Sequence, residues 1–482
     1  MEKLFYRFRS ASNLLDEYNE LEKQTIYFAP AEQLNDPMEG YRDIFWNGDL
    51  IAWRNLFSHY VFCLAHLCSL LLLSGDDYRI DASDIPVFGS KEDLPTEAYK
   101  RLFNKIKDRF LNNNDISALI LSISKRSTPV RREELSFYFD CVHLPALKVI
   151  FDLYIEENLS HEDNRMDDGF FSGIRDVVSQ DFVGILEKSI ANNEADETII
   201  NEIFKAKKHI KQQSYLIQKC NGTLADSTSN RNLVMLEFVA RYLERLEEIT
   251  FPKWYTSCFM SECKNSSVWG HYGNNHTGMC LIFESEFVND RSYIKLNGKT
   301  GLGSSGPIHG KKTMVFHPIK YEEGFGEIDF FRSIGSLRVS ALNAMWYRDD
   351  EGNVSACADE MYADEDTWRK NYWANFTRGL TVKSKDWEYE NEYRLILYSN
   401  IMDLSEKNER TLTYNFSSLK GIIFGINTTE EDKIKTIKII EDKCKKNSRG
   451  DFKFYQAYYC SNENCIKSVE MGLIKFSNDL EC

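Results

Sequence analysis

Strand-like segments bracket a long helical stretch, and this arrangement constrains the fold more than any other feature of the chain. Near the start, LFYRF and TIYFA carry the aromatic and β-branched residues of strands, SASNLLDEYNELEK between them reads as a short capped helix, and Asn35-Asp36-Pro37 marks a turn. From about residue 49 to 248 the pattern becomes helical, most clearly where Leu236, Val239, Leu243 and Leu246 recur at three- and four-residue steps. Polar breaks at 81–95, 112–115, 161–168 and 221–230 divide this block into several helices. After Phe251 strands return in KWYTSCFMS, GMCLIFES, EYRLILYS, KGIIFGI and FKFYQAYY. The expectation is an α+β fold: a split mixed or antiparallel sheet domain over residues 1–48 and 251–482, interrupted by an all-helical insertion over 49–250.

Composition narrows the partners. With 59 Lys plus Arg against 74 Asp plus Glu, the net charge of -15 repels phosphate backbones and anionic lipid, so nucleic-acid contact is expected only locally. The start MEKLFYRFRS lacks the apolar run and cleavage site of a secretory signal, which predicts a cytoplasmic protein whose 12 cysteines stay reduced. The most apolar run, residues 60–73, contains His66 and is shorter than the roughly 20 residues of a membrane span. It is expected as a buried core helix, with no membrane partner.

Three constellations could carry chemistry. The first is Lys385-Asp386-Trp387-Glu388-Tyr389-Glu390-Asn391-Glu392-Tyr393-Arg394. Read as extended, it puts Glu388, Glu390, Glu392 and Arg394 on one face, where crowded carboxylates either sit in solvent or, in a cleft, acquire the raised pKa of a general base. The second is Trp269-Gly270-His271-Tyr272-Gly273-Asn274-Asn275-His276, whose two histidines lack a nearby carboxylate or thiolate triad, so no metal is expected. The third, 298–312, fails the phosphate-loop spacing and reads as a mobile Gly/Ser loop beside the active face. Between 364 and 378, Trp368, Tyr372 and Phe376 form a core-facing helical stripe, and Cys460 and Cys465, with neither CxxC spacing nor a His pair, read as plain thiols.

Several of these residues resemble a known pattern. Tyr6-Arg7-Phe8-Arg9-Ser10, Thr25-Ile26-Tyr27-Phe28 and Asn35-Asp36-Pro37 are similar to the opening of the bacterial domain-of-unknown-function 2971 family. Ser257-Cys258-Phe259-Met260-Ser261, Trp269 with His271-Tyr272, and His276-Thr277-Gly278 with Cys280 resemble its middle motif. Lys385, Trp387 through Arg394 and Ile422-Ile423-Phe424-Gly425 resemble its C-terminal motifs. The resemblance covers residues 1–45 and 251 to about 430 and leaves the helical insertion outside.

A looser resemblance to ADP-ribosyltransferase-like folds implies a function. It implies NAD as substrate, with Glu390 or Glu392 holding the nicotinamide ribose while positive charge develops at the anomeric carbon. Arg7 or Arg9 would clamp the pyrophosphate, and Tyr27 or Tyr272 would stack on the nicotinamide. Taken together with the matches to the domain-of-unknown-function motifs, this implies Glu390, Glu392 and His271 as candidate catalytic residues and Arg7, Arg9, Tyr27, Asn35, Asp36, Trp269, Tyr272, His276, Trp387 and Arg394 as candidate substrate-binding residues. By analogy such a protein is an effector of a phage-defence or toxin-type system that transfers ADP-ribose or hydrolyses NAD. The alternative is a non-catalytic recognition protein whose helical insertion, 49–250, binds a protein partner.

Overall fold

The computed structural model describes residues 3–75, 77–161, 166–192, 197–222, 230–304, 306–322, 326–399, 402 and 404–476. Most of the expected breaks at 161–168 and 221–230 lie outside the described residues. The structure is α+β, with a large, mainly antiparallel sheet and a large helical region. The chain divides into two compact units, one of Met1–Tyr41, Pro252–Phe325 and Thr377–Cys482, the other of Arg42–Phe251 and Gly326–Phe376.

The first unit is built on a sheet. Among its strands are β1 (Lys3–Arg9), β2 (Trp254–Met260), β3 (Met279–Val288), β4 (Arg291–Gly303), β5 (Gly306–Val315), β6 (His317–Pro318), β7 (Glu392–Tyr398), β8 (Leu419–Phe424), β9 (Lys453–Cys460) and β10 (Cys465–Glu470). Eight of them lie side by side in the order β6-β7-β2-β1-β3-β8-β9-β10. Neighbours on this path pair antiparallel except β8 and β9, which are parallel because the helix Glu430–Lys446 returns the chain between them.

Period-2 alternation gives the sheet two different faces. Phe5, Phe259, Leu281, Phe283, Leu395, Leu397 and Phe454 pack on one face with Leu14, Ile26 and Ile440. Phe8, Met260, Cys280, Ile282 and Ala457 point the other way, onto Val268 and Trp269 of the helix Ser266–Tyr272. The stretch 298–312, expected as a mobile loop, instead lies in the β4–β5 hairpin, with Gly298 opposite Gly310 and Lys299 opposite His309. Buried Ile294 and Leu296 on β4 and Met314 on β5 anchor the ladder, and the glycines simply join it. Ser305 lies outside the described residues.

The second unit is mostly helical. The helices Leu50–Ser74, Glu97–Leu111, Asn114–Ser124, Arg132–Glu156 and Phe238–Thr250 enclose a core rich in aromatic rings, among them Trp53, Phe57, Tyr60, Phe139, Phe238, Tyr242 and Trp346. The residues 326–376 add the strand Glu327–Asp329, which pairs parallel with Asp43–Trp46. They also include most of the helix Glu365–Gly379, whose Trp368, Tyr372 and Phe376 are buried at the expected four-residue spacing. Leu236 departs from the expected stripe: Leu233–Glu237 is a π-helical turn that rotates it into solvent while Val239, Leu243 and Leu246 stay buried. By length and composition Leu50–Ser74 could cross a membrane, but 61% of its most apolar window is buried inside the protein.

Candidate functional site

Parts of the family-like motifs meet in one buried cluster in the sheet unit. β7 turns Glu392 and Arg394 to the face opposite Leu395 and Leu397, where Cys258 of β2 lies opposite Arg394. The segment before β7 is not extended as expected: Lys385–Glu390 is a 3₁₀ turn begun by Ser384 and ended by Asn391 at φ 47°. Asparagine tolerates this left-handed conformation, so the chain reverses there and Glu388 stays exposed while Glu390 is carried inward.

Five charged side chains meet in this cluster. Lys383 Nζ lies 2.8 Å from Glu390 Oε2, 3.3 Å from Glu392 Oε2 and 3.4 Å from Glu39 Oε1. Arg394 binds both oxygens of Glu392, through Nε at 2.8 Å and Nη2 at 3.1 Å, and also pairs with Glu39. Its Nη1 donates to Leu380 O at 3.0 Å. Tyr272, from the helix Ser266–Tyr272, donates its hydroxyl to Glu390 Oε1 at 2.8 Å, and the Glu392 backbone N–H donates to Tyr321 Oη at 2.8 Å. Glu39 arrives through the Asn35-Asp36-Pro37 turn: Asp36 Oδ1 accepts from Met38 N at 2.9 Å and Asp36 O from Glu39 N at 3.0 Å.

Three carboxylates against two cations leave one formal negative charge in excess, and the two family-motif glutamates divide it unequally. Burial raises the Glu390 carboxyl above its ordinary value, with Lys383 opposing and Glu392 reinforcing the shift. Burial pushes Glu392 the same way, but the two-point bond from Arg394 and the charge of Lys383 override it and hold this carboxyl at about 2. Desolvation first, with the charge of Glu392 and a hydrogen bond to it, pushes the half-buried Cys258 thiol up. Of the two glutamates, Glu390 is thus the one that holds its proton more tightly.

These shifts have opposite signs in acid. Glu392 contributes stability above its ordinary value of 4.5, and that stability is lost as pH falls from there toward about 2. Glu390, shifted upward, favours the fold on its protonated side, so its contribution rises as pH falls from its raised value to 4.5 and is level below that. Glu390→Gln is accordingly expected to lack the rise that wild type shows as pH approaches 4.5 from above, while keeping the decline below it, measured as urea unfolding midpoints at stepped pH. An unchanged rise above pH 4.5 in the variant would contradict the assignment.

An aromatic rim adjoins the cluster. Lys383 Nζ lies 4.6 Å from the centroid of the half-buried Trp387 ring. Exposed His271 Nδ1 is 3.2 Å from Tyr389 Oη, and its ring lies 6.3 Å from that of Trp387. Residues 268–395 match the family described as Protein of unknown function (DUF2971). The DUF2971 match thus takes in the helix bearing Trp269, His271 and Tyr272, the cation Lys383, and the motif from Trp387 to Arg394. Among curated proteins and solved structures, no match to the chain was found.

Other candidates named from sequence are held apart from this cluster or serve the fold. Arg7 and Arg9 alternate with Tyr6 and Phe8 and share the sheet face of Phe5, opposite to that of Glu392; both guanidinium groups are bound to Glu20. Tyr27 Oη donates to Gln33 Oε1 at 3.0 Å, and the Tyr27 ring has Lys407 and Arg410 each 5.5 Å away. Asn35 is exposed and Asp36 buried in the turn just described. Trp269 is fully buried, its Nε1 donating to Cys263 O at 2.8 Å.

His276 closes a left-handed turn with Asn274 and Asn275, at φ 66°, 48° and 53°, and its carbonyl accepts from Asn427 N at 2.9 Å. A Cβ at Gly425 would come within 2.3 Å of that carbonyl, and one at Gly278 within 2.3 Å of Arg9 O, so these two motif glycines permit backbone contact. Sequence reasoning missed Lys383, Glu39, Tyr321 and the pairing role of Cys258. The available signal was electrostatic: carboxylates as crowded as Glu390 and Glu392 need more than one buried cation. Among the described residues, no group of three or more His, Cys, Asp or Glu side chains could hold a metal ion.

Proposed function

We propose that the sheet unit is an enzyme acting on a nucleotide, with NAD the substrate to test and Glu390 the working carboxylate. One observation carries this reading: Glu390 is a buried acid of raised pKa, bonded to Lys383 and Tyr272, beside the aromatic rim of His271, Trp387 and Tyr389. A carboxylate so placed would stabilise the oxocarbenium-like charge that forms as the bond to nicotinamide breaks, and the rim offers rings on which a base can stack. Glu390 is only 1% exposed, so on this reading Trp387 and Tyr389, on the same 3₁₀ turn, would have to move outward to admit substrate. Arg7 and Arg9 have no part in this site, because Glu20 already occupies both. This chemistry would suit a cytoplasmic effector of a toxin-type or phage-defence system.

The test is nicotinamide release from NAD by the purified chain, wild type beside Glu390→Gln, with circular dichroism to check the fold. The expected result is release by wild type and a loss of about 10²- to 10³-fold in the variant. Equal release from both would remove Glu390 from the chemistry, and no release from wild type would overturn the reading.

A second reading, a recognition protein, is favoured by the helix Glu197–Cys220 of the helical unit. Ile199, Ile203, Ile210 and Ile217 follow one another at four- and seven-residue steps and are 56–64% exposed, an apolar ladder suited to a protein partner. On that reading the sheet unit is a platform, and no turnover accompanies any nucleotide.

A further inference from the structure

Cys460 and Cys465, expected to be plain thiols, are direct partners across a hairpin. β9 and β10 run antiparallel in register from Tyr455 opposite Glu470 to Cys460 opposite Cys465, the pair that closes the ladder before the turn. Residues directly opposed in this way project their side chains to the same face of the sheet. Both cysteines are unpaired and only half-buried, so small oxidants can reach them. We propose that Cys460 and Cys465 form a reversible cross-strand disulfide, a redox site on the edge hairpin of the sheet unit.

The ladder also shows what kind of disulfide this is. Met471 N donates to Phe454 O at 2.8 Å, while Ile466 N is turned out of the hairpin and donates to Lys264 O at 2.9 Å. By the alternation of an antiparallel pair, Cys460 opposite Cys465 is therefore a hydrogen-bonded pair, with Cα atoms about 5.5 Å apart. That separation allows a disulfide, but the β-carbons start farther apart than a relaxed bridge prefers. The bridge is consequently strained and easily reduced, a switch rather than a staple.

The chemistry balances with a low-molecular-weight disulfide such as oxidised glutathione. One thiolate of the pair attacks a glutathione sulfur, expelling the first glutathione thiolate and leaving a mixed disulfide. The other cysteine then attacks the protein-bound sulfur and expels the second. The two protein thiols have lost two electrons and two protons, and the oxidant has become two reduced glutathiones. The hairpin is tied to the candidate site through Lys264, which precedes Asn265, the capping residue of the helix that bears Tyr272. The proposal itself rests on the hairpin alone and stands whether or not Glu390 is catalytic.

The test equilibrates the full-length protein in mixtures of reduced and oxidised glutathione, quenches with an alkylating agent and maps the peptides by mass. The expected result is a peptide linking Cys460 to Cys465 that forms in oxidising mixtures and disappears under excess reduced glutathione. In Cys460→Ser the linked peptide is lost completely and Cys465 carries a glutathione adduct instead. Adducts on both wild-type cysteines without a link, a link to another cysteine, or a link that survives reducing mixtures would each overturn the proposal.

Discussion

Arg394→Met is expected to destabilise the protein by about 3–5 kcal/mol, because it strips two buried carboxylates of their shared cation. Arg394 is 1% exposed, binds both oxygens of Glu392, and also pairs with Glu39. Without it, Glu39, Glu390 and Glu392 would share Lys383 alone. The measurement is the urea unfolding midpoint, compared at unchanged slope. A loss under about 1 kcal/mol would show that water compensates the carboxylates and that the cluster is open. The double variant Arg394→Met with Glu392→Met should recover part of the loss, since removing both charges leaves less unpaired than removing one.

Trp269→Ala is expected to cost a similar amount, about 3–5 kcal/mol, through the cavity it leaves. The indole packs edge-on against Phe8 with ring centroids 4.8 Å apart and is part of the core between the helix Ser266–Tyr272 and the sheet. Its loss also leaves Cys263 O without the indole donor. A tryptophan that served only to stack on substrate would give the reverse outcome, with stability intact and binding lost. Trp269→Phe separates the two contributions, keeping most of the apolar contact while forfeiting a hydrogen bond worth about 1 kcal/mol. Thermal or urea unfolding of both variants checks the assignment, and a wild-type midpoint for Trp269→Ala would refute the core role.

The elements legible in advance are those whose signals are local. Alternation in LFYRF, GMCLIFES and EYRLILY specified strands that do pair, and the four-residue spacing of Trp368, Tyr372 and Phe376 specified a buried helical stripe. Two local readings failed for identifiable reasons. The glycines of 298–312 suggested a loop, but Ile294, Leu296 and Met314 drew them into a hairpin. The acidic run before Arg394 suggested one extended strand, but Asn391 adopts a left-handed conformation and turns the first half into a 3₁₀ segment.

The sequence by itself determined the two-sided pattern of strands around a helical block, the crowding of Glu390, Glu392 and Arg394 into one short run, and the turn at Asn35-Asp36-Pro37. All of these depend on residues within a few positions of one another, where backbone sterics and side-chain periodicity decide. Only the tertiary structure decided which charges meet. Glu39 reaches Arg394 across 355 residues of chain, Tyr272 reaches Glu390 across 118, and Arg7 and Arg9 face away from all of them. Burial and charge pairing act through space, so whether a carboxylate is held low by an arginine, as Glu392 is, or raised by burial against the pull of a lysine, as Glu390 is, is set by strand order, which no local pattern encodes.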